Sequence, residues 1–182
     1  MPTGTCAGRV NTIRDVIAGV AFFDVVLAVH LMAVVFAFGA TLAYPVLLGV
    51  IGKADARALP ALYKALHAIS VRVIMPGLTV VLICGIYMAS DHKLWSEFFV
   101  QWGLGAVVVI GAVEGMFLSP NEKRLVAVAD RDLAAAPVRG QAGDGAVTFS
   151  AEHDTLVRRI GATGATMDLL VLLTILFMAI QP

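Results

Sequence analysis

The chain has 182 residues, 59% of them apolar and 14% charged, with 13 Lys+Arg balanced by 13 Asp+Glu. A soluble domain carries about 25% charged residues, so this composition, with a mean hydropathy of +0.89, excludes an ordinary water-soluble core. Zero net charge supplies no basic field for nucleic acid, and Cys6 and Cys84 show neither a CxxC nor a metal spacing.

Residues 1–16 read as a polar tail carrying Arg9 and Arg14. A spanning helix needs about 20 mainly apolar residues, and the first such run covers residues 17–50. It is too long for the apolar region of a signal peptide, and Asp24 lies within it. Tyr44 and Pro45 fall late in the run, where a kink or an end is expected. A short helix-permissive connection, 52–68, leads to a second span at 69–89. A tight polar turn at 90–97 precedes the third span, 98–118, and Trp95 and Trp102 flank its start as an aromatic belt would.

The only long connection, 119–159, opens Ser-Pro-Asn-Glu-Lys-Arg, which reads as a turn with Pro120 starting a new helix. A charged helical stretch follows to about residue 136, then a Gly/Ala/Pro-rich loop over 137–145. The fourth span covers 160–180. No run alternates with a period of two, so a barrel is not expected. Backbone groups in lipid must be paired within the segment, which leaves helices. The expected fold is an all-α, four-helix transmembrane bundle occupying residues 17–182.

The first and third connections share one side of the membrane. With Arg72 they hold ten Lys/Arg, against three (Arg9, Arg14 and Lys93) on the other. The positive-inside rule then places the larger loops in the cytoplasm and both termini outside. Expected partners are the lipid bilayer and further membrane subunits or a second copy of the chain. Gly111 and Gly115 form a GxxxG, and Gly161 and Ala165 a small-xxx-small pair, of the kind that lets helices approach closely.

Ionisable groups inside a bilayer are costly and therefore functional candidates. Arg72, Glu114 and Asp168 fall at similar depth on helices two, three and four, which predicts a buried cluster with Arg72 between two carboxylates. Such a cluster serves either helix register or a proton, cation or ligand site. His30 lies near the middle of helix one among Ala28, Val29 and Leu31. It reads either as a haem or metal ligand or as a histidine hydrogen-bonded to a neighbouring helix. His67 sits at the boundary, offset from His30 by more than ~10 Å along the membrane normal by helical rise, so a bis-histidine haem is not expected. His92, between Asp91 and Lys93, reads as a solvated surface group.

The order of features resembles a known family. A histidine in helix one is followed by Phe38-Gly39-Ala40, then by Arg72-Val-Ile-Met-Pro76-Gly77-Leu running into Gly85-Ile-Tyr87-Met. A tryptophan opens helix three, which ends in Leu118-Ser-Pro120 and the basic stretch Lys123-Arg124-Leu. Over residues 20–180 this resembles a family of predicted four-helix bacterial integral membrane proteins, grouped with the CopD-like copper-resistance proteins and the HemJ-like protoporphyrinogen oxidases. The resemblance implies a bacterial inner-membrane location and, through the HemJ-like proteins, haem b on a first-helix histidine, to which His30 corresponds. Those proteins also rely on a lysine within a later helix. No lysine lies inside a predicted span here, so their oxidase activity is not carried over. Scattered methionines likewise lack the clustering a copper path needs.

Three functions follow as expectations. The first is an accessory or scaffold subunit of a membrane complex without catalytic motif, the second a haem- or metal-binding redox protein using His30, and the third a small proton-coupled transporter using Glu114, Asp168 and Arg72.

Overall fold

The computed structural model describes residues 22–136 and 147–180. The expected N-terminal tail and the Gly/Ala/Pro-rich loop lie outside the described residues. Four helices long and apolar enough to cross a membrane run through the described chain: α1 (Phe22–Ile51), α2 (Ala56–Asp91), α3 (Phe98–Ala134) and α4 (Ala151–Ile180). No strand occurs among the described residues. α1 packs on α2 and α4, and α3 packs on α2 and α4, closing an all-α four-helix bundle.

Lipid and core divide each helix by face. On α1, Ala33 and Ala37 are buried, while Val35 and Phe36 between them are 70% and 67% exposed. Large exposed apolar side chains in that position are compatible with lipid contact.

Three of the helices are longer than their apolar runs suggest. α2 begins at Ala56, not near residue 69, because Asp55 accepts the Arg57 backbone N–H and Pro60 sits in the first turn of the following α-helix. α3 does not break at Ser119 but runs on to Ala134. α4 starts at Ala151, where Asp132 accepts the Ser150 backbone N–H at 2.8 Å and the Ser150 hydroxyl accepts the His153 N–H. α1 passes Pro45 without ending and continues to Ile51.

The long α3 depends on a wide turn. Residues Glu114–Leu118 are π-helical, with the Ser119 N–H reaching back to the Glu114 carbonyl. Residues Ser70–Ile74 of α2 do the same, Met75 N–H bonding to Ser70. Each wide turn is followed two residues later by a proline, Pro76 or Pro120. A proline ring in an α-helix clashes with the carbonyl four residues back. The extra residue of a π turn opens room there, so both helices pass their prolines unbroken.

The extensions form a core of their own beside the membrane span. Tyr44, Leu59, Leu66, Leu118, Leu125 and Ile160 belong to it, and a separate mid-bundle core holds Ala37, Ile74, Leu78, Ile110 and Val171. We call the end with the helical extensions the broad end and the opposite one, with the 92–97 turn, the turn end. Ion pairs clasp the broad end: Lys64–Asp130 at 2.9 Å, and Arg124 and Arg131 on Glu152. Lys64 and Lys123 therefore lie on helices after all, but on the extensions.

The GxxxG packs through one of its glycines: a methyl group on Gly115 would stand 3.5 Å from the Met75 side chain of α2, while one on Gly111 or Gly161 would meet nothing within 4 Å and one on Gly77 would stand 2.8 Å from the Ala37 side chain. Gly77 lets the α1 backbone approach α2, and Gly103 of α3 seats the Met178 side chain of α4.

Candidate functional site

His30 projects from α1 into a cavity of about 500 Å³ at the turn end of the bundle. All four helices contribute walls, among them Leu27 and Phe38 of α1, Val81 of α2, Val107 of α3 and Ile175 of α4. The lining is apolar apart from His30, the Thr174 hydroxyl, the Trp95 indole and the thioethers of Met88 and Met178. Thr174 is already satisfied, donating to the Leu170 carbonyl at 2.8 Å. Gly85 lies beside the ring, where a methyl would make ordinary van der Waals contact at 3.8 Å from His30 Cε1.

The Val81 backbone of α2 acts on the His30 ring as a hydrogen-bond partner, while His30 Nδ1 is buried and makes no bond of full geometry. Buried polar atoms are nearly always satisfied, so His30, which lines the cavity with an under-bonded ring nitrogen, is the candidate residue here. The alternative expectation, a histidine hydrogen-bonded to a neighbouring helix, has the Val81 backbone as its partner. No group of three or more His, Cys, Asp or Glu suited to a metal ion occurs among the described residues.

The predicted Arg72–Glu114–Asp168 cluster does not assemble. Arg72 lies on the exposed side of the π turn, where Ser70 and Ile74 face inward and residues 71–73 face out. Glu114 is buried and takes its hydrogen bond from the Ser70 hydroxyl. Asp168 is half-buried, with Oδ1 unpartnered and no bond to Glu114.

A different polar set forms at the broad end. Glu122, expected in a turn, is 4% exposed inside α3. Its Oε1 accepts from the Tyr44 hydroxyl of α1, and its Oε2 lies 2.9 Å from His67 Nδ1 of α2. Glu114 lies two turns away on the same face of α3. Tyr63 and His153 pair separately at 3.2 Å, with Phe149 stacked on the His153 ring. The sequence carried a signal for Glu122: Glu114, Leu118, Glu122 and Leu125 fall on one helical stripe once Pro120 is allowed inside the helix.

His67 is thus engaged at the broad end and does not reach the His30 cavity. His92 packs edge-on against Phe23, a cavity residue, with ring centroids 4.2 Å apart, while remaining half-exposed. Cys84 is a free, partly buried thiol.

Comparisons with protein-family models, curated proteins and solved structures return no match for this chain.

Proposed function

We propose that this multi-pass membrane protein binds a flat, apolar cofactor in the His30 cavity, with haem b the class that suits it. The observation that carries the reading is His30, an imidazole whose buried Nδ1 makes no bond of full geometry, lining about 500 Å³ of apolar space. Ligand pockets of 300–1,000 Å³ with one or two placed polar groups are the usual form of such sites.

The residues fit haem on three counts. A lone imidazole supplies an axial nitrogen. The Met88 and Met178 thioethers line the same cavity and belong to the second ligand type that haem iron accepts. The cavity reaches Leu94 and Trp95 of the 92–97 turn, where Lys93 offers a cation for propionates. Bound there, haem would supply one-electron chemistry. The chain's own part is to ligate through His30, exclude water with the apolar lining and tune the potential by burial.

An accessory or scaffold subunit, our first expectation, gives this cavity no task. A transporter built on Arg72, Glu114 and Asp168 lacks its assembled site. The excess of Lys/Arg near the broad end supports a cytoplasmic position for it, with both termini outside, in a bacterial inner membrane. The absorption spectrum of protein purified in detergent from cells supplied with haem precursors tests the proposal. A Soret band that is lost in His30→Ala is expected, and a colourless wild-type protein refutes it.

A further inference from the structure

Two buried carboxylates and one imidazole meet at the broad end, and their charges do not balance. Glu114 and Glu122 are 5% and 4% exposed. Every titratable or charged neighbour can be placed. From α1 comes the Tyr44 hydroxyl, spent on Glu122. From α2 come His67, against Glu122, and the Ser70 hydroxyl, on Glu114. α4 contributes the apolar Ile160 to the surrounding core, and its Asp168 hydrogen-bonds to neither glutamate. His153 is held by Tyr63 and Asp154. Arg72 faces outward, and Lys64 is paired with Asp130 on the surface.

An imidazolium at His67 neutralises one carboxylate and leaves the other uncompensated. An isolated buried carboxylate costs several kcal/mol in real proteins, and such a group takes up a proton instead. Glu122 has the charged-form partners, a phenol donor and an imidazole. Glu114 has a single neutral hydroxyl, while the Glu122 and His67 charges are close enough to act on it.

We infer that Glu114 is a proton-carrying site, held as a neutral acid in the resting protein and exchanging its proton with water at the broad end through the His67–Glu122 pair. The path has an exit because the His67 side chain is 20% exposed while its partner is 4% exposed. His67 releases its proton to water. Water bridging from Glu114 to the imidazole, which lies one turn from Ser70 on α2, then carries the Glu114 proton to His67; Glu114 becomes a carboxylate, so that one proton leaves the set, and uptake reverses the steps. Both π turns begin at the residues that make the Ser70–Glu114 contact. Wide turns of this kind concentrate at functional sites, and here they aim Ser70 and Glu114 at each other. The inference is independent of whether the His30 cavity holds haem.

Infrared spectroscopy of the full chain in lipid nanodiscs at neutral pH tests it. A protonated-carboxyl stretching band above the amide I region is expected in the wild type. Glu114→Gln should abolish that band, and Asp168→Asn should leave it unchanged. In deuterated buffer the Glu114 component should shift within the exchange time of a surface-connected group, and His67→Gln should slow that shift at least tenfold. Absence of the band in the wild type, or its persistence in Glu114→Gln, overturns the neutral acid. An unaltered exchange rate in His67→Gln overturns the route. The wild-type measurement keeps the test decisive even if a variant fails to fold.

Discussion

Ser70 and Glu114 each open a π-helical turn, and the Ser70 hydroxyl donates to the Glu114 carboxyl across the α2–α3 interface. A five-residue turn rotates the helix beyond it relative to a continuous α-helix. The contact therefore couples the local backbone of two helices to a buried polar pairing, with Pro76 and Pro120 fixing where the wide turns fall.

Removing the donor should show this coupling. Ser70→Ala leaves a buried acid without its partner, which costs about 1–3 kcal/mol. Thermal unfolding in detergent should give a lower apparent Tm for Ser70→Ala than for wild type, with Ser70→Thr recovering most of the loss.

Glu122 joins three helices, so its loss should exceed that of any surface ion pair. Glu122→Ala strands the Tyr44 hydroxyl and the His67 ring together, and a cost of about 3–5 kcal/mol follows from breaking a buried charged contact. Lys64→Ala, which breaks the exposed pair with Asp130, should cost about 0–1 kcal/mol. Equal unfolding temperatures for the two variants would contradict the placement of Glu122.

Gly77 sets the distance between α1 and α2. Its added methyl would lie 2.8 Å from the Ala37 side chain and 3.4 Å from the Ala37 Cα, so Gly77→Ala should destabilise by about 1–3 kcal/mol through overpacking. Ala37→Gly removes the atom it strikes. The double variant should therefore lose less stability than the two single losses added, a coupling that a thermal-shift cycle measures directly.

The four spans were legible because bilayer thickness imposes about 20 apolar residues on any helix that crosses it. The separation of His67 from His30 was legible for the same reason, since only position along the helix mattered. Facing was not. Arg72 has the depth expected of a cluster member, but the π turn over Ser70–Ile74 carries it to the outside. Glu122 was hidden by Pro120, whose usual meaning is a helix boundary. The wide turn ahead of it cancels that meaning, and a single sequence gives no sign of such a turn. The extensions of α2, α3 and α4 were hidden in another way. Their amphipathic faces pack on one another and not on lipid, so hydropathy undervalues them.

The central claim is that His30 and the cavity around it form a cofactor site. Titration of haemin into the purified apoprotein in nanodiscs tests this, followed by absorption for wild type, His30→Ala and Gly85→Leu. Wild type should saturate at one haem per chain with a shifted Soret band. His30→Ala should lose the shift, and Gly85→Leu, which fills the space beside the His30 ring, should weaken binding at least tenfold. A wild-type titration indistinguishable from that of His30→Ala would contradict it.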